Sequence, residues 1–204
     1  MHLIERFIAS MERSRYEENP TVFPVLDGDN LVGTCFIWKT RRNNCFVISR
    51  SLHARRDYTC LIPVEEGNKQ KIFKIGLNRG KEGADFVATA VKNHPRVPNF
   101  VESSQNSDAD VGRQIYMVSY KARCKICMKV QKKFISKFCQ VKKDTKYGYN
   151  YNKNEGGGFK DFPYGAPVVN DKNQVVGIVK KFQEDGKYFE VVDFKELKFD
   201  VDNA

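Results

Sequence analysis

The 204-residue chain contains no run of about 18 consecutive apolar residues, so it has no segment suited to crossing a bilayer as a helix. Its first residues, MHLIERFIASMERSR, lack the uninterrupted apolar stretch of a secretory leader. The expectation is an intracellular protein, cytoplasmic or nuclear, or a mature fragment, with no membrane association. Cysteine is sparse at six residues, and without a leader these are expected to be free thiols rather than a disulfide framework. Cys124 and Cys127 form a CxxC, but no second CxxC or CxxH completes a four-ligand set. If that segment is a single strand, residues three apart also point to opposite faces. No metal and no cofactor are expected. Of the three histidines, His2 and His94 have no motif around them.

What is present is an ample apolar fraction, 41%, enough for a real core, and an uneven charge. Acidic residues are nearly absent between Lys121 and Lys153: ten lysines and one arginine face Asp144 alone. That segment's net +10 equals the excess of the whole chain. Lysines alternate there with Ile126, Met128, Val130, Phe134, Ile135 and Phe138, and Tyr147, Tyr149 and Tyr151 follow at every second position. An extended segment would put many lysines on one face and the tyrosines on a common face. Lysine rows attract phosphates and exposed aromatics stack on unpaired bases, which makes Lys129, Lys132, Lys133, Lys137, Lys142, Lys143, Tyr147 and Tyr149 candidates for binding RNA or DNA. An acidic protein partner, or a lysine-guarded sheet edge, fits the same pattern.

Along the chain, Leu3, Ile4, Phe7, Ile8 and Met11 recur at helical spacing and predict a short amphipathic helix over residues 1–15. From Thr21 the pattern becomes short β-rich runs between turns: TVFPVL, LVGTCFIW, CFVIS, YTCLIPV, KIFKIGL, FVATAV, QIYMVSYKA, ICMKV, PVVN, QVVGIV and YFEVVDF. Many short strands with few helices indicate an all-β sandwich or barrel. The polar stretch between Asn93 and Asp110, with two prolines and several serines, predicts a connection over 96–109 between a first half (16–95) and a second half (110–204).

Three segments carry a family resemblance. LVGTCFIWKTRRNNCFVISRSLHAR is similar to an opening hairpin that leads to a catalytic histidine, which would be His53. GADFVATAV is similar to the segment carrying a catalytic aspartate, which would be Asp85. DFPYGAPVVNDKNQVVGIV is similar to the nucleophile segment GxSGxP with its following hairpin. In order and spacing, over roughly residues 20–195, the chain resembles the trypsin/chymotrypsin-like superfamily, nearest to its intracellular HtrA-like or viral members. The resemblance implies two six-stranded antiparallel β-barrels.

The nucleophile position, however, holds Tyr164. In the family a histidine takes the proton of a serine hydroxyl, an aspartate orients the imidazole, and backbone N–H groups hold the oxyanion. A phenol oxygen lies several bonds farther from the backbone, and its ring fills space meant for the scissile carbonyl. The oxyanion region, Phe162, Pro163 and Gly165, departs as well: Phe162 replaces the usual glycine, and Pro163 has no N–H and a fixed φ. Arg50 stands where threonine usually precedes the histidine. The resemblance thus implies a pseudoprotease, with His53, Asp85 and Tyr164 as degenerate triad positions, acting by binding a protein or an extended peptide, for example along Val175 to Lys180. The alternative is an active protease or hydrolase with a non-serine nucleophile. A phosphodiester-cleaving tyrosine lacks the arginine clamp or metal carboxylates such chemistry needs.

Overall fold

The computed structural model describes residues 22–39, 45–50, 56–66, 69–77, 86–91, 115–124, 127–141, 144–149, 160–172, 174–182 and 188–193, and every regular element among them is a strand. The expected helix over 1–15 and the connection over 96–109 lie outside the described residues. Among those residues no helix is long and apolar enough to cross a membrane.

The first sheet contains β1 (Val22–Asp27), β2 (Asn30–Lys39), β3 (Cys45–Arg50), β4 (Tyr58–Glu66), β5 (Lys69–Gly76) and β6 (Phe86–Ala90), in the order β5-β4-β1-β2-β3-β6. The second contains β7 (Ile115–Cys124), β8 (Cys127–Val141), β9 (Asp144–Tyr149), β10 (Lys160–Phe162), β11 (Pro167–Asn170), β12 (Val175–Phe182) and β13 (Tyr188–Asp193), in the order β10-β7-β11-β12-β13-β9-β8. All pairings are antiparallel.

The two sheets wind alike. Starting from β1, neighbours run β2, β3, β6 on one side and β4, β5 on the other; starting from β7 they run β8, β9, β13 and β11, β12. In the second sheet β12 pairs with β13, so the run returns to β7; in the first, β5 and β6 are not paired with each other among the described residues. The resemblance implied six strands in each half. The second sheet has seven, because β8 takes one whole edge of β7 while β11 and β10 share the other, β11 at Ile115–Met117 and β10 at Tyr120–Ala122; β10 is too short and too polar for hydropathy to reveal.

Two turns follow directly from the sequence. Asp27 pairs with Asn30 across Gly28-Asp29, and Gly28 takes φ +58°, which glycine adopts without steric cost. The β11–β12 turn is tied by Asn170, whose Oδ1 accepts the backbone N–H groups of Lys172 (2.9 Å) and Gln174 (3.0 Å).

β7 shows how one strand serves two cores. Ile115 and Met117 belong to a cluster with Ile135, Val168, Val176 and Val191 inside the second sheet. The alternate residues Val118 and Tyr120 instead join Val169, Val175 and Ile178 in the large cluster built on the first sheet around Phe23, Phe36 and Ile48. Period-2 alternation on a strand buried on both faces gives a continuous apolar run, and this is what IYMVSY displays. Among the described residues the largest wholly buried side chain is Tyr120. Its phenol donates to the carbonyl of Val22 at 3.3 Å, so its one polar atom is satisfied by the other sheet.

The basic segment is not one strand. It occupies the end of β7, all of β8 and β9, and residues beyond. Cys124 and Cys127 are Cα partners across the two-residue β7–β8 connection, so the expectation that a CxxC here points to opposite faces of a single strand is corrected. Among the described residues no group of three or more metal-ligating side chains exists.

Candidate functional site

The site is built on a β-turn that the sequence writes plainly. Pro163-Tyr164-Gly165-Ala166 closes with the Ala166 N–H donating to the Pro163 carbonyl at 2.9 Å, and Gly165 has φ +80°. Positive φ at the third residue is the requirement of a type II turn, and glycine meets it. β10 delivers the turn on one side and β11 leaves it on the other. Gly165 N–H donates to the Val179 carbonyl (2.9 Å) and Val179 N–H to the Ala166 carbonyl (3.0 Å), which extends the β11–β12 hydrogen bonding into the turn.

The first sheet grips this turn at three points. The Thr34 N–H donates to the Tyr164 carbonyl at 3.0 Å. The Arg50 guanidinium, exposed at the end of β3, lies 4.5 Å from the centroid of the half-buried Tyr164 ring. A Cβ added at Gly165 would stand 2.5 Å from the Thr34 carbonyl oxygen and 2.9 Å from the Arg50 backbone nitrogen, so the two backbones touch there as only glycine permits. Thr34 also accepts the Tyr120 N–H on its Oγ1 at 3.1 Å, which ties β2, β7 and the turn through one residue. A Cβ at Gly33 would likewise stand 3.0 Å from the Tyr164 carbonyl oxygen.

Tyr164 and Arg50, two departures from the pattern of the resemblance that lie far apart in the sequence, are therefore in contact. Phe162 ends β10, opposite Tyr120 of β7, and Pro163 is buried at the start of the turn. His53 and Asp85 lie outside the described residues. The strands that lead to them are described: Arg50 ends β3, Phe86 opens β6, and these two are Cα partners, so both segments enter or leave at the same end of the β3–β6 pair, the end that meets Tyr164.

Of the nucleic-acid candidates, Lys129, Lys132, Lys133 and Lys137 are on β8, Tyr147 and Tyr149 are on β9, and Lys142 and Lys143 fall outside the described residues. The side chain of Lys132 is half-buried, with its Nζ 4.7 Å from the ring centroid of Tyr116. Among the described residues β11 pairs with the Val175 to Ile178 part of this strand and β13 with the Gly177 to Phe182 part, so most of the main chain from Val175 to Lys180 is already hydrogen-bonded.

Thr34, Gly33 and Tyr120 were not legible as site residues. A small-residue step in VGT was the only trace of the first two, and nothing in QIYMVSY distinguishes the tyrosine that reaches across. Beside the site, the Ser49 hydroxyl is wholly buried and has no hydrogen-bond partner among the described residues. Removing an unsatisfied buried hydroxyl relieves its desolvation cost. Ser49→Ala is expected to raise unfolding stability by about 1 kcal/mol, read from the urea midpoint at constant slope; a drop of similar size would mean that the hydroxyl is bonded.

No family model and no curated protein sequence matches the chain. Solved structures do. The Rv3671c protease of Mycobacterium tuberculosis H37Rv, as the Ser343Ala mutant in its inactive form, is similar with TM-score 0.57 and 15% identity over 89% of this chain and 85% of that one. The active form gives TM-score 0.55 and 12% identity over 93% and 82%. The MamO protease domain of Magnetospirillum magneticum, in its apo form, gives 0.52 and 15% over 89% and 96%. At these identities the likeness is one of fold: the all-β arrangement is consistent with a chymotrypsin-like protease fold.

Proposed function

We propose that this chain is a pseudoprotease: two closed chymotrypsin-like barrels, with halves at 16–95 and 110–204, that bind a protein or an extended peptide without cleaving it. The observation that supports this reading is the Tyr164 ring, held on the Pro163–Ala166 turn with the Arg50 guanidinium 4.5 Å from its centroid. A serine nucleophile needs a short side chain with its hydroxyl at a histidine, and the tyrosine ring instead packs under a guanidinium. The turn compounds the loss, since Pro163 offers no N–H and Phe162 sits within β10 rather than in a glycine loop free to aim a donor. Exposed Arg50 adds a planar fork of donors at the same place, suited to a carboxylate on a bound partner.

The test uses the whole chain with a fluorophosphonate probe and a peptide library. Neither labelling nor cleavage is expected from the wild type. Tyr164→Ser is expected to stay inert, because the oxyanion donors are not restored with the hydroxyl. Wild-type cleavage that His53→Ala abolishes would overturn the reading in favour of a hydrolase with a non-serine nucleophile.

A further inference from the structure

We propose that Cys35 and Cys60 form an oxidation site, closing to a disulfide that ties β2 to β4 across β1. Both thiols are wholly buried, and their sulfurs are 3.0 Å apart. Register explains how strands that are not neighbours bring them together. Cys35 is the Cα partner of Phe23 and Cys60 that of Val25, and Phe23 and Val25, two apart on β1, share a face. The two cysteines therefore rise from one face of the sheet on either side of β1. In a flat sheet, strands two apart would be separated by about 9.5 Å. The sheet must curl strongly toward this face for the sulfurs to meet across that spacing and the two-residue stagger from Phe23 to Val25, and closing a bond of about 2.0 Å further requires the two Cα atoms to lie within about 7 Å.

Burial governs when the bond forms. It pushes the Cys60 thiol up from its ordinary range, and the neighbouring Cys35 pushes in the same direction, so folded Cys60 holds little of the thiolate that attacks. Reaction belongs to the folding chain, or to a transient opening of β1, with a small disulfide of the glutathione type as oxidant. One cysteine thiolate attacks it, forms a mixed disulfide and expels one glutathione thiolate. The second cysteine thiolate then displaces the other. Two protein thiols and one glutathione disulfide become one protein disulfide and two glutathione thiols, with two electrons passing to the oxidant. Refolding then buries the bond away from reductant. Its consequence is local: Thr34, the residue that holds both the Tyr164 carbonyl and the Tyr120 N–H, directly precedes Cys35. The proposal is independent of whether the chain cleaves peptides.

The experiment refolds the full chain in a mixture of oxidised and reduced glutathione, blocks remaining thiols with iodoacetamide in denaturant, and maps an unreduced digest by mass spectrometry. The expected result is a peptide pair joined through Cys35 and Cys60, with a Tm about 10 °C above that of the reduced chain. The joined pair should vanish in Cys35→Ser; whatever that variant's stability, the wild-type map alone decides the matter. Iodoacetamide on both residues, a bond from either to another cysteine, or an oxidised chain that fails to fold would each overturn the proposal.

Discussion

Gly165→Ala is expected to cost about 3–5 kcal/mol, from the strain of positive φ and from steric overlap. The added methyl would meet the Thr34 carbonyl at 2.5 Å and the Arg50 nitrogen at 2.9 Å, both backbone atoms of the opposing sheet that no rotamer change can move aside. Relief requires the turn to withdraw from β2 and β3, which breaks the Thr34 to Tyr164 hydrogen bond and lifts the phenol from Arg50. Gly28→Ala provides the internal comparison. Gly28 also has positive φ, +58°, but nothing lies within 4 Å of its added Cβ, so only the conformational cost of about 1 kcal/mol remains. Urea unfolding of the two variants should separate them clearly. Equal losses would mean that the turn is not pressed against the first sheet.

Tyr120→Ala is expected to cost about 3–5 kcal/mol, as removal of a buried aromatic side chain does. Tyr120 belongs to the second sheet by pairing and to the first by packing. Its ring lies in the shared cluster, its hydroxyl on Val22, and its N–H on Thr34. Tyr120→Phe keeps the ring and leaves the Val22 carbonyl without this donor, which should cost about 1 kcal/mol. The alanine change should also separate the two halves in their unfolding, seen as transitions that no longer coincide when followed by different probes. A single coincident transition at nearly unchanged midpoint would show that the halves are held together elsewhere.

The fold was largely legible because its strands are short, apolar and bounded by turn residues. PVVN coincides with β11, and the runs from TVFPVL to FVATAV match β1 to β6 within a few residues. The basic segment was the exception. Lysine and glycine in DTKYGY give β9 no apolar signature, and KDF in β10 is held in place by β7 rather than by its own propensity. At the site, Tyr164 and Gly165 stood out because the motif around them is local. Arg50 stood out as a broken motif, but its position over Tyr164 is tertiary. Thr34 and Tyr120 act through contacts spanning 86 residues of chain, a distance over which periodicity carries no information.

The sharing of one apolar cluster between the two sheets bears on the order of synthesis. Residues 22–90 leave the ribosome before any of the strands that cover them, so Phe23 and its neighbours meet water or a chaperone until Val118, Tyr120 and Val169 arrive. The first half can wind early, yet the Tyr164 turn has no Thr34 to seize until the second half docks. The site therefore exists only once the two halves have docked, and a chain cut short after β6 would leave exposed the apolar surface that Val118, Tyr120 and Val169 cover.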